Sequence, residues 1–194
     1  MATGKGGDMA SRIRILVLAG AGIWFGVAGA DEPITNPPPD ELRQFSFMLG
    51  ARDCIGNWRL SDSVIKPFRA SWHGSEILSG HMVVEEYRAW DADGVVFIHG
   101  ANTRTYNALD RRWTTRWQSV IDGSSFELGQ PRFEERNDGT RVVTFINGEG
   151  DDLQRAIYTE YPDGRLAWRG DSTVDAGQTW DIAVMTIECG TPRR

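Results

Sequence analysis

Residues 82–103 read MVVEEYRAWDADGVVFIHGANT. Two runs rich in β-branched and aromatic residues flank Asp91-Ala92-Asp93-Gly94, where the aspartates offer Asx turns and the glycine offers positive φ. The stretch predicts a β-hairpin and with it a side-chain parity. Whether the loop holds two residues or four, Glu86, Arg88 and Trp90 share a face with Phe97, His99, Ala101 and Thr103.

The same grammar extends in both directions. Asn107-Ala108-Leu109-Asp110, Ile121-Asp122-Gly123, Asn137-Asp138-Gly139 and Pro162-Asp163-Gly164 are further turns. They divide the chain into about ten β runs: 54–62, 67–73, 80–90, 95–106, 112–120, 124–129, 140–146, 153–161, 164–172 and 178–189. No segment between them is long enough, at a period of 3.6, to be a crossover helix, which excludes parallel βαβ units. The reading is an all-β fold, an antiparallel up-and-down β-barrel of about ten strands, whose first strand pairs with its last so that no edge is left open. Cys54 and Cys189 fall on those two strands. In an oxidising compartment they read as one disulfide, the alternative being two separately buried thiols.

Ahead of the β region, residues 1–30 carry Lys5, Arg12 and Arg14, an apolar run from Ile15 to Val27, and Ala28-Gly29-Ala30. A cationic start, a short apolar middle and small residues before the cleavage point make a secretory signal peptide, too short and too interrupted by glycine for a membrane span of roughly 20 residues. Residues 31–41, with Pro33 and Pro37-Pro38-Pro39, read as a proline-rich linker. The stretch 39–50 is a short helix candidate stopped by Gly50, and the barrel domain occupies 42–194. The expected location is periplasmic or secreted, with no integral membrane segment after processing. The formal net charge is −6, which excludes nucleic acid or an anionic membrane as partner, since both need a basic footprint.

At Gly56-Asn57-Trp58 the sequence begins to resemble a family. A short helix, then G-x-W on the first strand, then an antiparallel meander, is similar to the calycin superfamily of lipocalins and fatty-acid-binding proteins. It is closer still to bacterial calycin-like domains, through Phe45 to Gly50, Glu86-Tyr87, Arg104-Thr105-Tyr106 and the spaced Trp113 and Trp117. The resemblance spans about 42–189 and implies a barrel that encloses a small apolar or aromatic ligand. The lipocalin T-D-Y motif is absent. Arg59, Leu60 and Ser61 stand where haem-binding barrels extend G-x-W with glycines, so no haem or other cofactor is implied.

One register of the hairpin after Asn107 adds Trp113, Thr115, Trp117 and Ser119 to the face carrying Glu86. Trp113 and Trp117 need burial more than Arg112 and Arg116, so that face is expected to point inward. Glu86, Arg88, His99, Thr103, Trp113 and Trp117 are then the candidate ligand-binding residues, with a carboxylate beside an imidazole as polar anchor or acid–base pair. Three readings follow: a binding barrel, a barrel enzyme of cyclase, isomerase or lyase type using Glu86 and His99, or an interaction protein with a solid core. His73 and His81 lie on separate runs without ligand spacing, so no metal is expected. No G-x-S-x-G motif and no glycine-rich phosphate loop opens a helix.

Overall fold

The computed structural model describes residues 37–193. The signal-peptide reading (1–30) and most of the linker reading lie outside the described residues. Asp40–Met48 forms a 3-10 helix. Leu42, Phe45 and Met48 recur every third residue, the spacing that eclipses on a 3-10 helix, and all three are buried.

Eleven strands follow: β1 (Gly50–Ser61), β2 (Val64–Ile77), β3 (Met82–Trp90), β4 (Val96–Asn107), β5 (Arg112–Ser119), β6 (Ser125–Leu128), β7 (Arg132–Glu135), β8 (Arg141–Glu149), β9 (Asp152–Glu160), β10 (Leu166–Thr173) and β11 (Asp181–Cys189). They form one antiparallel sheet in the order β6-β5-β4-β3-β2-β1-β11-β10-β9-β8-β7, curled into a half-barrel. The first and last strands pair as expected, with Cys54 opposite Cys189 and a disulfide joining them.

The closed ten-strand expectation is corrected in one respect. The meander is interrupted in mid-chain, where the run read as 124–129 ends at Leu128 and a short β7 follows. β6 pairs only with β5, and β7 only with β8, so the sheet edges lie here rather than at the termini. The two edges approach each other at Gly129, where a Cβ would stand 2.1 Å from the Ile146 carbonyl oxygen. Only glycine fits so close an approach.

Burial alternates along β1–β5 and defines the concave face. Arg52, Cys54 and Gly56 of β1, Val83, Glu85, Tyr87 and Ala89 of β3, and Asn102 and Arg104 of β4 are buried. The glycine of G-x-W has a packing reason, because a Cβ at Gly56 would stand 2.2 Å from the Phe68 ring. The 3-10 helix covers one end of the curl. Phe45 meets Trp113 edge-on at 4.9 Å and stacks on Phe145 at 6.2 Å. Buried Arg52 ties that end together by donating to the carbonyls of Phe47 (2.7 Å), Gly164 (2.6 Å) and Gly190 (2.9 Å). Those three bonds offset the desolvation of its guanidinium, whose pKa burial lowers.

Candidate functional site

The inner-face expectation holds for the tryptophans and fails for the other four candidates. β4 and β5 pair with Asn102 opposite Trp117 and Tyr106 opposite Trp113. Both tryptophans therefore share the concave face with Asn102 and Arg104 rather than with His99 and Thr103. Glu86 and Arg88 are exposed, and His99 and Thr103 are half-buried on the convex side. The Glu86–His99 contact is real, with His99 Nε2 2.9 Å from Glu86 Oε1, but it forms on the outer surface. Trp113 packs under the helix, and Trp117 lines a cavity within the curl.

That cavity, of about 410 Å³, lies within the curl toward the strand ends remote from the 3-10 helix. On β4 it is lined by Phe97, Ile98 and Asn102, whereas Tyr106 lies beyond it against Trp113 at the helix end. Trp72, Trp117, Trp168, Phe126 and Tyr158 supply most of its aromatic wall, and Ile121, Asp122 and Ser124 form its exposed rim. Trp72 is held from behind, its indole N–H donating to the Met48 carbonyl at 3.3 Å. A hollow of this size with an apolar wall and a few buried polar groups has the character of a small-molecule site. A second hollow of about 390 Å³ lies over the disulfide. Its charged lining, Asp53, Arg69, Arg165 and Glu188, is exposed and already solvated.

Glu85, Tyr87 and Asn102 form the buried polar floor. Asn102 Nδ2 donates to Glu85 Oε1 at 2.9 Å, and Arg104 Nη2 lies 2.8 Å from Glu85 Oε2. Arg104 also lies over the rings of Phe45 (5.0 Å) and Tyr158 (5.6 Å). Burial pushes the Glu85 carboxyl up from its ordinary range, while Arg104 and Asn102 pull the other way. Burial, then the Glu85 charge, also raises the phenols of Tyr87 and Tyr158, which stay neutral O–H groups. The Tyr87 hydroxyl and Asn102 Oδ1 have no hydrogen-bonding partner among the described residues. At the rim, hydrogen bonds from Ser119 and Ser124 hold the Asp122 carboxyl down at about 2.

Glu85, Tyr87, Asn102, Tyr158 and Trp168 were not among the sequence-derived candidates. β3 itself carried a weak signal, with one charge (Glu85) beside Val83, Tyr87 and Ala89 at the odd positions and two (Glu86, Arg88) beside Met82, Val84 and Trp90 at the even ones. Counting charges favours the observed odd face by one residue, whereas Trp90 at an even position points the other way. Among the described residues no group of three or more His, Cys, Asp and Glu side chains is placed to hold a metal ion. No helix among them is long and apolar enough to cross a membrane. Comparison of the chain with family models and with curated proteins finds no match.

Proposed function

We propose that this chain is an exported barrel of the calycin type that holds a small apolar or aromatic molecule in the hollow of its curled sheet. The aromatic-walled cavity of about 410 Å³ carries the reading. The calycin kinship draws support from the continuous antiparallel ladder from β6 to β7 by way of β1 and β11, from the helix at one end, and from the tight seat of Gly56 beneath Phe68. β6 and β7 run in the same direction and are linked by only Gly129-Gln130-Pro131, which supports reading them as one broken stave of a barrel wall. Glu86 and His99 meet in solvent rather than in the hollow, so no observation favours them as an acid–base pair for turnover.

The uncharged fluorophore N-phenyl-1-naphthylamine tests the binding reading. It is expected to bind saturably, one per chain, with enhanced emission. Trp168→Ala should weaken it at least about tenfold, since the lost indole contact area is worth roughly 25 cal/mol per Å². Absence of saturable binding would sink the reading, as would indifference to Trp168→Ala.

Export is proposed on residues 1–30 and on the disulfide, which suits an oxidising compartment. Protein recovered from the periplasm or medium should begin at Asp31. An N-terminal sequence starting at Met1 or Met9 would refute this.

A further inference from the structure

Two features of the cavity constrain what enters it, and they are independent. The first is the floor. Asn102 is 5% exposed and uses its amide N–H on Glu85, which leaves Oδ1, an acceptor, unpartnered. Tyr87, also 5% exposed, lies diagonally across from it on the neighbouring strand, with a hydroxyl that makes no bond. A buried polar atom without a partner is costly, and at the wall of a cavity a ligand can supply the missing bond. Glu85, the buried charge that lines the cavity, is already paired with Arg104 at 2.8 Å. The floor therefore offers an unpaired acceptor at Asn102 Oδ1 beside a Tyr87 hydroxyl that can either accept or donate.

The second feature is the mouth. Five loops join strands at the cavity end: 62–63, 91–95, 120–124, 150–151 and 174–180. Together they carry six aspartates and no lysine or arginine. Asp62 and Asp91 are answered from adjoining strands by Arg59 and Lys66, while Asp122 on the rim has only serine partners. Loops at the helix end mix the two signs, as in 108–111, 136–140 and 161–165. Turn chemistry explains the aspartates but not the absence of cations. The mouth thus carries a negative field that repels anions before they reach the hollow.

We infer that the ligand is an uncharged, flat aromatic molecule bearing an N–H group, which donates to Asn102 Oδ1 with the Tyr87 hydroxyl as a second partner, and that carboxylate-bearing ligands are rejected. The inference rests on the binding reading above and narrows it to a chemical class.

Three probes of one shape test it on the full mature chain: carbazole, with an N–H; its isostere dibenzofuran, with an ether oxygen in that place; and dibenzofuran-4-carboxylate. Carbazole should bind at least about tenfold tighter than dibenzofuran, the scale of one buried hydrogen bond. The carboxylate should bind weakest, and its deficit should shrink as salt is raised. Tyr87→Phe should melt no lower than the parent chain, because the hydroxyl it removes is unbonded, yet lose carbazole affinity severalfold. Equal affinity for carbazole and dibenzofuran would overturn the inference and leave the binding reading standing. So would preference for the carboxylate. Undiminished carbazole binding by Tyr87→Phe would remove Tyr87 from the site. If none of the three binds, the inference and the reading fall together.

Discussion

Replacing Arg104 by methionine is expected to cost about 3–5 kcal/mol of folding free energy at neutral pH, the usual consequence of leaving one member of a buried ion pair without its partner. Arg104 and Glu85 are 0% and 2% exposed and stand 2.8 Å apart. Methionine keeps much of the side-chain volume over the Phe45 ring but removes the cation, so Glu85 must either remain an unpaired buried anion or take up a proton. The pH dependence distinguishes this from a packing defect. Burial already raises the Glu85 carboxyl, and Arg104 opposes that rise. Without Arg104 the folded pKa moves further above the unfolded value of 4.5. A raised carboxyl pKa means that the folded state binds the extra proton. The variant's stability is therefore retained below the unfolded pKa and lost as pH rises through the folded one. Urea unfolding of Arg104→Met at a series of pH values should show stability falling from acid toward neutral. Adding Glu85→Gln should abolish that slope and recover much of the loss, since an uncharged pair often replaces a buried ion pair at little cost. A loss below 1 kcal/mol, or one equal at acid and neutral pH, would mean that Glu85 is not the stranded charge.

Much of the wall was legible in the sequence because hairpins announce themselves. Each turn pairs an Asp, Asn or Gly with a position that needs an Asx turn or positive φ, and Gly94, Gly123, Gly139 and Gly164 all have positive φ. What those residues do not specify is loop length, and parity hangs on it. Asn107 pairs with Arg112 across a four-residue loop in which Arg111 adopts positive φ. Nothing about Arg111 signals that conformation, since arginine is not a residue that favours it. A register shifted by one residue there exchanges the faces of β5 relative to β4. This is how Trp113 and Trp117, correctly placed inside, drew Glu86 and His99 in with them.

The floor was hidden for a different reason. Patterning assigns charged residues to solvent, and Glu85 and Arg104 break that rule in concert, each acceptable inside only because the other is there. Read singly, Glu85 beside Glu86 is one of two equivalent carboxylates. Only the pairing of Val83 opposite Arg104 and Glu85 opposite Asn102 separates them. β7 was missed too, because the run ending at 129 is followed by Pro131 and then by Arg132-Phe133-Glu134-Glu135, four exposed residues with no alternation to mark a strand.

Removing the Cys54–Cys189 bridge should lower stability by about 5 kcal/mol. The bridge spans 135 residues of sequence, nearly the whole described domain. In the chain-entropy account, a link of that span reduces the freedom of the unfolded chain by about this amount. Against a total of about 5–15 kcal/mol for a domain, that is a large share. The folded state should change little. Cys54 and Cys189 already face each other in the β1–β11 ladder, and Arg52 holds the Gly190 carbonyl two residues along from the seam. Both cysteines are 4% exposed, and reduction of native protein would confound access to the bridge with its contribution to stability. The fair comparison is therefore Cys54→Ala/Cys189→Ala against the oxidised parent, by urea unfolding at equilibrium. The midpoint should fall steeply, while the spectrum of the folded protein and its binding of N-phenyl-1-naphthylamine at low urea persist. Coincident midpoints would show that the bridge contributes nothing. Loss of the folded spectrum in the absence of urea would show that the β1–β11 ladder cannot hold the half-barrel together without it.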